Sequence, residues 1–222
     1  MILSVCHLRT RDERAPDSDV VRLAVKELAC AGLPQGECER LLAIRNDSAR
    51  AQSVGARLAL LWALLDGQAG AHRLDEFPSD QQLSEQVRAA MSAFVISETG
   101  RPCLTAHVCS LSFAHSEGLA VCALDADASV GVDVEPLTRT TKRMEEIVER
   151  YFSKAEQARL YLGDSREREF LRVWTRKEAL GKARGTGLSA PMHLLDTESV
   201  CPSCFVERQL EGQLITVCCM PR

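Results

Sequence analysis

The amino-acid sequence predicts an α+β protein of two similar lobes, each a small antiparallel sheet packed with helices. Three observations predict this class: apolar residues at helical spacing in the first half, β-branched apolar runs around residue 120, and a return to helices and then alternating strands. A chain of 222 residues can form one large domain or two small ones. We expect an N-terminal lobe over residues 1–129 and a C-terminal lobe over residues 130–222.

The first lobe is expected to contain three helices and several strands. Apolar residues recur at helical spacing over 20–31, 49–65 and 82–94, and Ser79 or Asp80 could cap the third helix. Apolar runs at 104–111, 119–124 and 130–134 predict strands. The residues Asp125-Ala126-Asp127 between the last two predict a hairpin turn.

The second lobe is expected to begin with helices over 142–151, 153–162 and 167–183. Ser153 followed by Glu156 predicts a capping box, and the last helix should stop near Gly185 and Gly187. The alternation over 210–217 predicts two closing antiparallel strands.

Charge and hydropathy exclude some classes of function. The net charge of −4 argues against a general nucleic-acid binder, and the longest apolar stretch, 58–65, is far too short to span a bilayer. With no secretory signal in residues 1–8, we expect a cytoplasmic protein without membrane contact. Basic residues crowd the segment 166–184, which indicates either an anionic ligand or acidic partner, or a solvated helix face with ion pairs.

The ten cysteines do not by themselves define a site. Cys201-Pro202-Ser203-Cys204 followed by Cys218-Cys219 invites comparison with a zinc site. The adjacent pair fits tetrahedral coordination poorly and no second Cys-x-x-Cys accompanies it. Reduced cysteines in strands and loops are therefore the expectation.

Two short segments carry candidate chemistry. Asp133 and Glu135 lie two residues apart in a predicted strand, so their side chains emerge on the same face. Glu178 and Lys182 lie four apart in a predicted helix, again on one face. Three carboxylates suit a hard ion such as Mg²⁺, and Mg²⁺ with a lysine suits phosphate chemistry. Each pair alone is also typical of an ordinary exposed strand or a helical ion pair.

In this order and at this separation, the segments resemble the 4'-phosphopantetheinyl transferase superfamily in its longer, pseudo-dimeric form, the Sfp type. The matching segments are Gly131-Val132-Asp133-Val134-Glu135, Arg150-Tyr151-Phe152-Ser153 with Glu156, and 170–182 with Gly185 and Gly187-Leu188; weaker matches are Gly100-Arg101-Pro102, Ser112-Phe113-Ala114-His115-Ser116, and Arg45-Asn46-Asp47 with Arg50.

The resemblance implies an enzyme that moves the phosphopantetheine arm of coenzyme A to a serine of an apo carrier protein, acyl, polyketide or peptidyl, and releases adenosine 3',5'-bisphosphate. It implies that Asp133, Glu135 and Glu178 hold Mg²⁺ against the pyrophosphate. Glu178 would also accept the serine proton, and Lys182 would neutralise or protonate the leaving group.

The resemblance also implies how the lobes divide the work in a monomer. Coenzyme A would bind in the cleft between them, with the first lobe gripping the nucleotide through Arg101 and His115, and Arg45 and Arg50 nearby. The second lobe would supply the metal site and dock an acidic carrier protein. The alternatives are another Mg²⁺-dependent phosphate hydrolase, or a non-catalytic relative that binds coenzyme A or a carrier protein.

Overall fold

A computed structural model of the chain describes residues 1–9, 15–105, 109–139, 141–163, 165–186 and 192–222. The chain divides into two compact units, Met1–Asp127 and Ala128–Arg222. Each unit contains helices and β-sheet, so the α+β class is confirmed. None of the described helices combines the length and apolar character needed to cross a membrane.

The first unit builds its described residues from six strands and four helices. In chain order these are β1 (Ile2–His7), α1 (Ser18–Cys30), α2 (Gln35–Leu42), α3 (Asp47–Asp66), β2 (Gly70–Arg73), α4 (Glu85–Ser92), β3 (Phe94–Ile96), β4 (Pro102–Leu104), β5 (Ser110–Ser116) and β6 (Leu119–Asp125).

A four-stranded sheet forms the centre of the first unit, in the order β2, β1, β6, β5, while β3 and β4 pair separately. Strand β1 is antiparallel to β6 but parallel to β2. The prediction of an antiparallel sheet is therefore wrong at one strand pair. Helices α1 to α3 lie between β1 and β2 in the chain, and a connection of that length permits parallel pairing.

Helix α3 supplies most of the helical side of this core. Asn46 caps it by accepting a hydrogen bond from the Ala49 amide at 2.8 Å, and Gly67 ends it in the left-handed region with φ of 63°. A Cβ atom at Gly55 would lie 2.5 Å from Leu8 Cδ2. The missing side chain thus lets α3 lie directly on the sheet.

The second unit is smaller and carries the segments that suggest chemistry. Its elements are β7 (Ala128–Pro136), α5 (Met144–Tyr151), α6 (Lys154–Arg159), α7 (Arg166–Arg184), the short 3₁₀ helices Met192–Leu194, Thr197–Ser199 and Pro202–Cys204, β8 (Phe205–Leu210) and β9 (Gln213–Pro221).

The sheet of the second unit is antiparallel throughout, in the order β7, β9, β8. Strands β8 and β9 pair from Phe205–Cys218 to Leu210–Gln213, so the closing strand pair is where the alternation predicted it. Helix α7 packs through Ala179, Leu180 and Ala183 into the core cluster that contains Cys218 of β9.

The capping box of α6 is confirmed, because Ser153 Oγ accepts from the Glu156 amide while Glu156 accepts from the Ser153 amide. Helix α7 ends at Gly185, whose φ is 72°. The predicted stop near Gly187, and the motif residues Gly187-Leu188, lie outside the described residues.

Three local predictions are wrong. Strand β6 pairs with β1 and β5 whereas β7 pairs with β9, so Asp125-Ala126-Asp127 joins two sheets instead of closing a hairpin. Ser84 caps α4 in place of Ser79 or Asp80. The predicted strand at 104–111 is divided, with β4 ending at Leu104 and β5 beginning at Ser110; residues 106–108 lie outside the described part.

Candidate active site

A close approach between α7 and β7 sets the geometry of the site. A Cβ atom at Gly131 would lie 2.0 Å from the Ala179 carbonyl oxygen and 2.4 Å from the Ala183 amide nitrogen. Only a residue without a side chain fits there. The helix backbone is therefore held directly against the strand that carries Asp133.

Asp133 and Lys182 meet across this contact. Lys182 Nζ donates to Asp133 Oδ1 at 2.9 Å and to the Val132 carbonyl oxygen at 2.8 Å. Asp133 is 8% exposed, and its Oδ2 is buried with no hydrogen-bond partner. Burial raises the pKa of Asp133, although the positive charge of Lys182 opposes that shift.

Glu178 lies close enough to Asp133 and Lys182 for their charges to change its pKa. Burial raises the pKa of its carboxyl, and the negative charge of Asp133 raises it further, whereas Lys182 and Arg139 act in the opposite direction. The site therefore holds two carboxylates that disfavour each other's ionisation.

Glu135 follows Asp133 on β7 but is engaged by an arginine. The guanidinium Nη1 of Arg139 forms an ion pair with Glu135 Oε1, with the two side chains 42% and 16% exposed. Arg139 also acts electrostatically on Asp133 and Glu178. It is thus a positive member of the group that the sequence reasoning missed, since a lone arginine in the loop after a strand gives no pattern.

The structure brings Asp133, Glu178 and Lys182 together, whereas Glu135 is turned to Arg139. In the described part of the chain, no three His, Cys, Asp or Glu side chains are placed to hold a metal ion. This finding also applies to the Cys201-Pro202-Ser203-Cys204 segment and Cys218-Cys219, which are described in full.

The neighbouring lysine of the same motif has a different environment. Lys177 is fully buried, and its Nζ donates to Glu156 Oε2 at 2.6 Å and to the Leu195 carbonyl oxygen at 2.5 Å. The second oxygen of Glu156 accepts from the Thr197 amide and hydroxyl at 2.8 and 2.9 Å. This buried pair ties α7 to α6 and to the 3₁₀ helix Thr197–Ser199.

The remaining predicted residues lie in the first unit. Arg45 is exposed just before α3, and Arg50, in the first turn of α3, forms an ion pair with Asp47. Arg101 Nη2 lies 3.4 Å from the Ser110 hydroxyl at the start of β5. His115 is exposed near the other end of β5.

Two of these residues, Arg101 and His115, lie near the same strand but not at the same end. Ser110 and His115 are five residues apart along an extended strand, a separation of roughly 16 Å. The guanidinium of Arg101 is held at the Ser110 end. Arg101 and His115 are therefore anchored at opposite ends of β5.

The basic run on α7 is extensively paired. Of its seven basic residues, five form ion pairs with carboxylates: Arg166 with Glu145, Arg172 with Glu169 and Glu207, Arg176 with Glu207, Lys177 with Glu156 and Lys182 with Asp133. Of the two interpretations of this segment, a helix face with ion pairs accounts for most of its charge.

Comparison with known proteins finds a family match within the second unit. Residues 129–211 match the family model of the 4'-phosphopantetheinyl transferase superfamily. The chain is 34% identical over 105 residues to 4'-phosphopantetheinyl transferase Sfp of Bacillus subtilis, covering 45% of this chain and 44% of that protein. It is 35% identical over 80 residues to 4'-phosphopantetheinyl transferase HetI of Nostoc, covering 35% and 33%.

A third relative is the L-aminoadipate-semialdehyde dehydrogenase-phosphopantetheinyl transferase of Eremothecium gossypii. It is 32% identical over 120 residues, covering 51% of this chain and 44% of that protein. The matches thus span less than half the length of each of these relatives. The relationship to the superfamily and to its Sfp-type members is confirmed over the matched part.

Proposed function

From the superfamily match of residues 129–211, we propose that the chain transfers the 4'-phosphopantetheine arm of coenzyme A to a serine of an apo carrier protein, releasing adenosine 3',5'-bisphosphate. The observation that carries the proposal is the contact of Lys182 with a buried Asp133, with Glu178 beside it, inside the matched segment. Displacement at phosphorus needs positioning and charge neutralisation more than covalent help.

The carboxylates of the site suit Mg²⁺ by their chemistry, although the described side chains are not gathered around one point as three ligands would be. The buried, unpartnered Oδ2 of Asp133 and the mutual repulsion of Asp133 and Glu178 are both features that a cation would relieve. We assign Asp133, Glu135 and Glu178 as the residues that would hold the ion, with Glu135 giving up Arg139. When bound, Mg²⁺ would neutralise the pyrophosphate oxygens of coenzyme A.

Glu178 and Lys182 are assigned different roles: Glu178 accepts a proton, and Lys182 neutralises charge. Glu178 is assigned the proton of the attacking serine, because a positioned carboxylate can act as a general base. The ammonium group of Lys182 reaches the buried carboxylate from its helix and is suited to neutralise the leaving phosphate. Asp133 and Lys182 would both lie against the substrate's pyrophosphate.

The first unit is assigned the binding of the nucleotide part of coenzyme A. Arg101 and His115 would contact the 3'-phosphate or adenosine side of coenzyme A, with Arg45 and Arg50 as further positive charges. In this assignment residues 1–129 grip coenzyme A, and residues 130–222 provide the metal site and dock the acidic carrier. The proposal takes these two lobes as the halves of a pseudo-dimer that acts as a cytoplasmic monomer without nucleic acid.

Incubation of the full chain with coenzyme A, Mg²⁺ and a panel of apo carrier proteins tests the proposal, read by intact-protein mass spectrometry. We expect a carrier to gain the phosphopantetheine arm. Glu178→Gln should lower the rate at least about a hundredfold, because a positioned base contributes that much. The control Glu149→Gln changes an exposed glutamate of the same unit and should leave the rate unaltered.

Three results would overturn the proposal. Absence of transfer to every carrier by folded protein is the first. Breakdown of coenzyme A without any carrier would indicate a hydrolase instead. Calorimetric binding of coenzyme A with no turnover would indicate a non-catalytic relative.

A further inference from the structure

The segment Cys201-Pro202-Ser203-Cys204 lies immediately before β8 and takes no part in the site described above. Its last three residues form a 3₁₀ helix, and the Cys204 amide donates to the Cys201 carbonyl oxygen at 2.9 Å. A turn closed by this hydrogen bond holds its first and fourth Cα atoms within about 7 Å. A disulfide needs Cα atoms about 4.4–6.8 Å apart. The backbone is therefore already close to the spacing that a Cys201–Cys204 bond requires.

The two thiols differ in access. All ten cysteines are described, and among them Cys30 and Cys201 are the exposed ones. Cys204 is half-buried against the core cluster that includes Ala179 and Cys218. A reagent from solution therefore has better access to Cys201 than to Cys204.

The surroundings of Cys201 favour its reactive form. Its Sγ lies 3.0 Å from the Ser203 hydroxyl oxygen. Hydrogen bonds from the side chain and backbone of Ser203 lower the pKa of the Cys201 thiol. Cys218 is the opposite case, because burial raises its pKa to about 12. Since the thiolate is the nucleophile, Cys201 is the attacking member of this group of cysteines.

We propose that Cys201 and Cys204 form a thiol–disulfide exchange site for low-molecular-weight disulfides. The proposal is independent of the transferase function.

The exchange proceeds in two steps. The Cys201 thiolate attacks one sulfur of a disulfide RSSR, the S–S bond breaks, and one RS⁻ leaves and takes up a proton. Cys204 then loses its proton to solvent and attacks Cys201 Sγ in the mixed disulfide, which releases the second RS⁻. The two cysteines are oxidised by two electrons, and RSSR is reduced to two RSH.

The test uses the reduced full chain with oxidised glutathione as the probe. Samples are quenched with acid at intervals, alkylated and mapped by peptide mass spectrometry. We expect a glutathione adduct on Cys201, followed by a Cys201–Cys204 disulfide. Cys204→Ser should make the Cys201 adduct accumulate, and Ser203→Ala should slow its formation at least about threefold.

Cys30→Ser is the matched control, because Cys30 is the other exposed cysteine, and it should leave both products unchanged. The proposal fails if Cys201 reacts no faster than Cys30, if no Cys201–Cys204 disulfide forms, or if the reduced chain binds stoichiometric Zn²⁺ through these two residues. Circular dichroism of each variant checks that the fold is retained.

Discussion

Burial and the negative charge of Asp133 raise the pKa of the Glu178 carboxyl. Because its pKa is raised in the fold, the folded state resists ionisation that the unfolded chain accepts freely. The free energy of unfolding therefore falls as the pH rises from the ordinary pKa of glutamate to the raised pKa of folded Glu178. Above the raised pKa the whole of this loss is present.

Glu178→Gln should consequently raise the melting temperature at pH 7, although it lowers the rate of transfer. The difference from the unmodified protein should vanish below about pH 4, where the Glu178 carboxyl is protonated in both the folded and the unfolded state. Thermal unfolding at pH 4 and pH 7 in the absence of Mg²⁺ measures this. A variant that is less stable at pH 7 would contradict the assignment of repulsion between Glu178 and Asp133.

Arg139 neutralises the same carboxylates from the loop after β7. If these carboxylates hold Mg²⁺, Arg139→Gln should tighten Mg²⁺ binding by roughly threefold, the effect of one solvent-screened positive charge. Isothermal titration calorimetry without coenzyme A gives the dissociation constant directly. Arg143→Gln is the control, because Arg143 pairs with the exposed Glu146. Equal Mg²⁺ affinities of the two variants would show that the charge of Arg139 does not act on the bound ion.

At this scale the sequence was informative where residue spacing encodes geometry. Strand alternation predicted Asp133 and Glu135 on one face of β7, and the four-residue interval predicted Glu178 and Lys182 on one face of α7. The sequence did not predict Arg139 at the site, because residues in loops have no regular spacing that indicates where their side chains lie. Lys177, next to Glu178, is buried on another side of the helix, a distinction that depends on packing with α6.

Among the elements, α7 depends on the buried Lys177–Glu156 pair. Lys177→Met leaves the Glu156 carboxylate in the interior without its cation, for which we expect a loss of about 3–5 kcal/mol in the free energy of unfolding. Urea denaturation measures this. Lys154→Met, at an exposed lysine of α6, should change stability by less than about 0.5 kcal/mol. Comparable losses in both variants would refute the role of the pair.

Gly131 controls the distance between α7 and β7. Gly131→Ala should destabilise the protein by at least about 2 kcal/mol and lower transfer, because the added methyl group meets helix backbone at 2.0 Å. Gly36→Ala in α2 is the matched control. A Cβ there meets nothing within 4 Å, so we expect a gain of about 0.4–1 kcal/mol. An unchanged stability of Gly131→Ala would mean that the helix can move away freely.

Helices with long apolar periods and clear caps, such as α3 and α7, could be predicted to within a few residues. Strand pairing could be predicted for the closing strands β8 and β9, which are neighbours in the chain, but not for β6. The turn-like Asp125-Ala126-Asp127 suggested a hairpin, but β6 pairs with β1, more than a hundred residues away. Local signals define a turn, whereas burial of a whole sheet decides which strands pair. The short strand β2 has no local signal strong enough to be found.

For the whole molecule, the paired arginines of α7 change the expectation for carrier binding. Most of the positive charge is already neutralised within the second unit. We therefore expect kcat/KM for an acidic carrier to fall less than about tenfold between 50 and 500 mM NaCl. Initial rates at varied salt test this, with circular dichroism to check folding. A fall of a hundredfold would mean that unpaired basic residues steer the encounter.

The two units also differ in how far the sequence explains them. The second unit contains the matched segment, and the pairs Asp133/Glu135 and Glu178/Lys182 within it follow from short-range spacing. In the first unit the predicted phosphate contacts come from strands and loops whose relative placement depends on long-range pairing. Arg101 and His115 illustrate this, since both lie near β5 yet at opposite ends of it.

The contacts of helix α7 determine where the protein can tolerate insertions and deletions. Lys177 is directed to Glu156, whereas Glu178 and Lys182 act at Asp133, so one short stretch of helix is fixed on two sides. Inserting or deleting one residue at this stretch turns everything beyond it by about 100°. No compensating substitution could restore both contacts. Variants of this protein that differ in length should carry the change in surface loops, and never between residues 177 and 182.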